Sequence, residues 1–185
     1  MRETRTAVFG GGCFWCTEAV FRMLKGVLNV EPGYAGGAKD RPSPSYERVS
    51  AGDTGHAEVI RVTYDPDVIS YEDLLTVFFG SHDPTTLNKQ GADVGEQYRS
   101  VILYESDEEK DIAERVSKEI QESLKDGSRV VTQILPLGTF FPAEEYHQKY
   151  FEKNKSAPYC QLIIEPKVEK VRKRFAKLLN DNATK

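Results

Sequence analysis

The run Gly10-Gly11-Gly12-Cys13 constrains this chain more than any other segment. It follows the short apolar stretch Thr6-Ala7-Val8-Phe9 and precedes Ala19, Val20, Met23 and Leu24, which recur at helical spacing. A strand ends, glycines turn the chain, and a helix begins with a thiol at its start. A helix start carries unpaired N–H groups and partial positive charge. Both favour thiolate over thiol, so the sequence predicts a stabilised, nucleophilic Cys13. Phe14 and Trp15 adjoin it, and Cys16 follows three residues on. The pattern is that of a nucleophile at the edge of an apolar pocket.

Composition narrows the function classes. The 185 residues are 39% hydrophobic and 10% aromatic, which suits one domain with a sizeable core. The net charge of −4 gives no field for nucleic acid or an anionic membrane. No signal peptide and no membrane span is expected. Three cysteines cannot close into a paired disulfide framework, and a reducing, cytoplasmic setting is expected. There cysteines are catalytic or metal-binding.

Periodicity predicts strands near residues 5–9, 27–34, 57–64, 99–104 and 130–135, and helices near 14–24, from 71, at 107–125, at 144–153 and from 166. Ser70-Tyr71-Glu72-Asp73 reads as a capping box and Ser106 as a helix cap. Residues 33–44 form a Gly/Pro-rich loop. This order predicts an α+β fold, a two-layer sandwich of helices on a mixed β-sheet. A single catalytic domain over residues 1–185 is expected, with a C-terminal extension from about 154 ending in a basic amphipathic helix.

Further polar and aromatic clusters fall in loops or at strand ends. They are Tyr46, Thr54-Gly55-His56-Ala57-Glu58, the run from Gly91 through Asp93 to Gln97-Tyr98-Arg99-Ser100, Tyr146-His147-Gln148-Lys149-Tyr150, and Tyr159-Cys160. Together with Gly12-Cys13-Phe14-Trp15, the chain from about Val8 to Cys160 resembles the peptide methionine sulfoxide reductases of the A class.

That resemblance implies a ferredoxin-like core and reduction of methionine S-sulfoxide, free or in proteins. It implies Cys13 as nucleophile, Phe14 and Trp15 as an aromatic cage for the substrate methyl, and Glu58 as the acid. Tyr46 and Tyr98 match phenols that bond the sulfoxide oxygen, and Asp93 a residue that positions substrate. Cys160 matches a recycling cysteine that resolves the Cys13 sulfenic acid. The family needs no metal or organic cofactor, and a thioredoxin-type dithiol is the transient reductant. A monomer is expected.

Other readings stay open on the residues alone. Cys16 sits one helical turn from Cys13, so it is a second relay thiol or a small buried apolar side chain. Cys-x-x-Cys spacing also fits a structural zinc module or a thioredoxin-like oxidoreductase. A core this apolar needs no metal to fold, and the second ligand pair lacks short spacing. His56, His82 and His147 read as structural hydrogen-bonding groups. Asp93 also fits a turn cap between Gly91 and Gly95.

Overall fold

The computed structural model describes residues 3–38 and 43–183. Residues 39–42 of the expected 33–44 loop lie outside them. In chain order the elements are β1 (Arg5–Gly11), α1 (Phe14–Phe21), β2 (Val27–Ala35), α2 (Tyr46–Ser50), β3 (Ala57–Tyr64) and α3 (Tyr71–Ser81). The hairpin strands β4 (Lys89–Gln90) and β5 (Asp93–Val94) follow, then β6 (Ser100–Tyr104) and α4 (Asp107–Ser123). The chain ends with β7 (Gln133–Pro136), β8 (Phe141–Pro142), α5 (Tyr150–Lys153) and α6 (Glu165–Arg174).

Six strands form one sheet in the order β7-β6-β1-β3-β2-β8. All its pairings are antiparallel except β6 with β7. The sheet is therefore mixed, as expected. Period-2 alternation on β3 sorts its side chains onto two faces. Ile60, Val62 and Tyr64 join Phe9, Val20, Phe21, Leu74 and Phe78 in the large core under the helices. Val59 and Ala57 point the other way, toward Val8, Val101 and Leu103.

The predicted caps are in place. Asp73 N donates to Ser70 Oγ at 3.0 Å and Ser70 N to Asp73 Oδ2 at 3.1 Å, which closes the capping box of α3. Ser106 Oγ accepts from Glu109 N at 3.2 Å and starts α4. Each such cap is worth about 1 kcal/mol.

The C-terminal helix packs on the body of the protein. Val168 and Val171 of α6 are buried, and α6 lies against α1 and α3. The expected helix at 144–153 is instead two short pieces, a 3-10 turn at Glu145–His147 and α5, split by Lys149 in the left-handed conformation. The cause is tertiary: the buried Glu18 carboxylate accepts the Lys149 N–H at 2.8 Å and holds the break. Cys160, expected in a loop or at a strand end, opens a π-helical turn, Cys160–Ile164, that runs directly into α6.

Candidate active site

Sequence dictates the position of Cys13 through the residue before it. Gly12 adopts φ +98°, and a Cβ there would come within 2.7 Å of Gln90 Cγ. Only glycine turns the chain this tightly beneath the β4–β5 hairpin. Cys13 then takes the N-cap position of α1, and its carbonyl accepts from Cys16 N at 3.1 Å and Thr17 N at 3.3 Å.

The acid arrives from β3. The β2–β3 register sets Glu58 opposite Tyr34, on the helix-covered face. Glu58 is only 2% exposed, and its Oε2 accepts the Phe14 N–H at 3.0 Å. The free N–H at the start of α1 therefore binds a carboxyl group, not the thiol. Burial drives the Glu58 pKa up to about 8 against the opposing Phe14 N–H, and the nearby Asp93 charge adds to the rise. Glu58 is thus a carboxylic acid at neutral pH.

Cys13, Phe14, Trp15, Tyr46, Glu58, Asp93, Tyr98 and Tyr159 line one cavity of about 230 Å³. Every residue that the resemblance marks for chemistry or substrate contact is there. The cavity adds Tyr159, whose hydroxyl donates to Asp93 Oδ2 at 2.9 Å. Asp93 is therefore held by a phenol at the cavity wall and is more than a turn cap. Burial first, and the Glu58 charge second, raise the pKa values of Tyr46 and Tyr98 above the ordinary phenol value, so both remain proton donors.

The electrostatics of Cys13 differ from the expectation. Burial pushes its thiol well up, and hydrogen bonding to Cys16 and the charge of Glu58 add to the shift. The helix-start argument fails because the thiol is buried and the first N–H is already taken by Glu58. Cys16 gains instead: hydrogen bonding from Cys13 brings it down to about 7 despite burial, helped by Lys167 of α6. Of the two thiols, negative charge is therefore favoured at Cys16. Tyr159 Oη stands 3.9 Å from Cys16 Sγ. Cys160 is fully buried, and burial followed by the charge of Cys16 raises its pKa.

Several contributing residues were given no part in the chemistry from the sequence. Glu144 accepts Tyr34 Oη at 2.7 Å and Tyr46 N at 2.8 Å, which anchors the first turn of α2 at the cavity. Tyr150 stacks flat on Trp15 at 3.7 Å, with an interplanar angle of 6°. Arg99 ties the surrounding loops through Gly36 O and Gly55 O. All three histidines make hydrogen bonds: His56 with Gly37 N, His82 with Phe78 O and Ser100 Oγ, His147 with Trp15 Nε1. Among the described residues no cluster of His, Cys, Asp or Glu has a metal-binding arrangement.

A thiol, a protonated carboxylic acid and phenolic donors around one cavity define the site of a thiol-based oxidoreductase. The comparisons with known proteins agree. The family model for peptide methionine sulfoxide reductase matches residues 5–179, and this chain belongs to that family. It is 54% identical to the peptide methionine sulfoxide reductase MsrA of Sulfolobus acidocaldarius over 169 residues, 91% of this chain and 94% of the relative. The solved structure of reduced Mxr1 from Saccharomyces cerevisiae is similar with a TM-score of 0.79 and 40% identity, over 85% of this chain and 90% of that one. Mxr1 in complex with Trx2 is similar with a TM-score of 0.56 and 27% identity, over 80% of this chain and 85% of that one.

Proposed function

We propose that this chain reduces methionine S-sulfoxide, free or in proteins, to methionine through a Cys13 sulfenic acid, and so repairs oxidised proteins. The observation that carries this is Glu58, a buried carboxylic acid bonded to the first turn of the helix that presents Cys13. A sulfoxide sulfur is a poor electrophile until its oxygen gains a proton or strong hydrogen bonds. Glu58 gives the proton, and Tyr46 and Tyr98 donate to the same oxygen as S–OH develops. Donors already fixed around the cavity act on that charge without first reorganising.

The Cys13 sulfur attacks the activated sulfur, and its own proton passes to the neighbouring Cys16 sulfur. Oxygen passes to Cys13 with the hydrogen, methionine leaves, and Cys13 is left as S–OH. One methionine sulfoxide and one thiol thereby give one methionine and one sulfenic acid. Phe14 and Trp15 hold the ε-methyl group, and the fixed position of the acid selects one sulfoxide epimer. Asp93 and Tyr159 complete the cavity lining.

Cys16 is the first resolving thiol in this reading, in place of Cys160. It is hydrogen-bonded to Cys13 and brought down to about 7, so it condenses with the sulfenic acid and releases water. Cys160 then attacks Cys16, frees the Cys13 thiolate and leaves a Cys16–Cys160 disulfide. A thioredoxin-type dithiol reduces that bridge by exchange, and the Mxr1–Trx2 complex supports such a partner. Electrons come from thiols throughout, so the cycle requires no metal or organic cofactor. We infer a single-domain, monomeric enzyme of the reducing cytoplasm. The testing experiment is turnover of the two separated methionine sulfoxide diastereomers by wild type and Cys13→Ser. Strong preference for the S epimer and no turnover by Cys13→Ser are expected; equal use of both epimers contradicts the proposal.

A further inference from the structure

A second cavity, of about 300 Å³, shares no lining residue with the Cys13 cavity. It lies between α1, the segment around α5, α6 and the chain that follows α6. Its size falls at the lower end for small-molecule sites. The last of these walls is tied to the end of α1. Asn180 N donates to Met23 O at 2.8 Å, Asn180 Nδ2 to Arg22 O at 3.2 Å, and Lys25 N to Leu178 O at 2.8 Å. A ligand therefore meets a wall already ordered, which removes one cost of binding.

The lining has two parts. Ala19, Met23, Val168 and Ala183 are apolar and buried. Around them stand four cationic side chains, Arg22, Lys149, Lys155 and Arg172, against only two carboxyl groups, Glu18 and Glu152. Arg22 is already engaged, 3.0 Å from Glu152 and 3.9 Å from Glu18. Burial raises the Glu18 pKa to about 7, so much of its charge is absent at neutrality. Lys149 and Lys155 form no ion pair among the described residues. Arg172 gives Nη1 to Glu169 at 2.6 Å, while its Nε is buried without a hydrogen-bond partner among the described residues. The Nε–Nη2 edge of a guanidinium matches both oxygens of a carboxylate, and here it is unused. The Arg172 side chain is 38% exposed, so it can pivot that edge toward the cavity.

We propose that this cavity binds a small monocarboxylate with an apolar body. Arg172, Lys149 and Lys155 take the carboxylate, and Ala19, Met23, Val168 and Ala183 seat the apolar part. An inorganic oxyanion would satisfy the charge and leave the apolar surface wet. A neutral apolar molecule would leave the cations unmatched. The site is independent of the reaction assigned to Cys13.

The test is titration of the full chain with benzoate, benzamide and inorganic phosphate at constant ionic strength, read by methyl and amide NMR shifts. Benzoate is expected to saturate with a Kd of about 1 mM or tighter and to move the signals of Ala19, Val168 and Ala183. Benzamide keeps the shape without the charge, and phosphate keeps the charge without the apolar body. Each should bind at least about 10-fold more weakly. Arg172→Gln should weaken benzoate by about 10-fold. Ala19→Leu fills the apolar part and should abolish the shifts; should it fail to fold, Arg172→Gln decides alone. Shifts that do not saturate by about 20 mM overturn the proposal. So does benzamide or phosphate binding as tightly as benzoate, or an unchanged Kd in Arg172→Gln. Benzoate shifts confined to Cys13, Trp15 and Tyr98 would place the ligand in the other cavity and overturn it equally.

Discussion

Glu58 Oε2 accepts the backbone N–H of Phe14 at 3.0 Å, which ties the buried acid on β3 to the helix turn that carries Cys13. Nucleophile and acid cannot move apart unless α1 shifts on the sheet. The same bond explains two further features. It takes the helix-start N–H that would otherwise stabilise a Cys13 thiolate, and it keeps the Glu58 side chain out of solvent.

Glu58 also sets how stability depends on pH. Its folded pKa is raised from 4.5 to about 8, so the protonated form is the one the fold prefers. Wild type therefore loses stability from this group as pH rises from about 5 through 8, where an unfolded chain would ionise freely. Glu58→Gln removes the titration and can keep the bond to Phe14 N. Its Tm relative to wild type should improve steadily between pH 5 and pH 9. A constant difference across that range contradicts a buried, neutral Glu58.

Glu18 behaves alike at a second place. Burial raises it to about 7 against its bond from Lys149 N, and the same sign applies. Glu18→Gln should gain on wild type between pH 5 and pH 8 in thermal melts. Because Glu18 stands outside the Cys13 cavity, the kcat/KM profile above pH 8 should keep its wild-type shape.

Gly12→Ala should be more disruptive than Gly52→Ala, although both glycines have positive φ. Gly52 at φ +77° has open space where a Cβ would go, so only backbone strain of about 1 kcal/mol is expected. Gly12 would add a clash with Gln90 and displace Cys13. Calorimetry should show at least twice the loss in Tm for Gly12→Ala, together with loss of turnover.

The thiol sequence is open to mass mapping after a single turnover without reductant. A Cys13–Cys16 bridge should appear first and give way to Cys16–Cys160. Cys160→Ser should trap the first bridge, and Cys16→Ser should prolong the sulfenic acid. A wild-type Cys13–Cys160 bridge, formed equally fast in Cys16→Ser, contradicts the order.

Much of this was legible in the residues themselves. Alternation over Ala57–Tyr64 put Glu58 on the same face as Ile60 and Val62, and Ser70 with Asp73 marked the start of α3. Features set by distant contacts were not legible. Nothing local in residues 144–153 announces that Lys149 turns left-handed, because the cause is Glu18 on another helix. The short strands β4, β5 and β8 and the single-turn α2 are too brief to show a period. Glu144 is an ordinary acidic residue in the sequence; only the fold brings Tyr34 and Tyr46 to it. The direction of the Cys13 shift required knowing how deeply the thiol is buried.

The phenols complete the site, and each can be tested singly. Tyr46→Phe and Tyr98→Phe should each lower kcat by about 10²-fold with KM little changed, as expected for donors that matter most in the transition state. The double variant should lose far more than either.

The most direct measurement is the rate of a single turnover of methionine S-sulfoxide against pH, for wild type and Glu58→Gln. Wild type should slow as pH rises through about 8, where Glu58 loses its proton. Glu58→Gln should be about 10²- to 10⁴-fold slower below that point and lack the wild-type descent. Equal rates and the same descent in both proteins would contradict Glu58 as the acid that activates the substrate for Cys13.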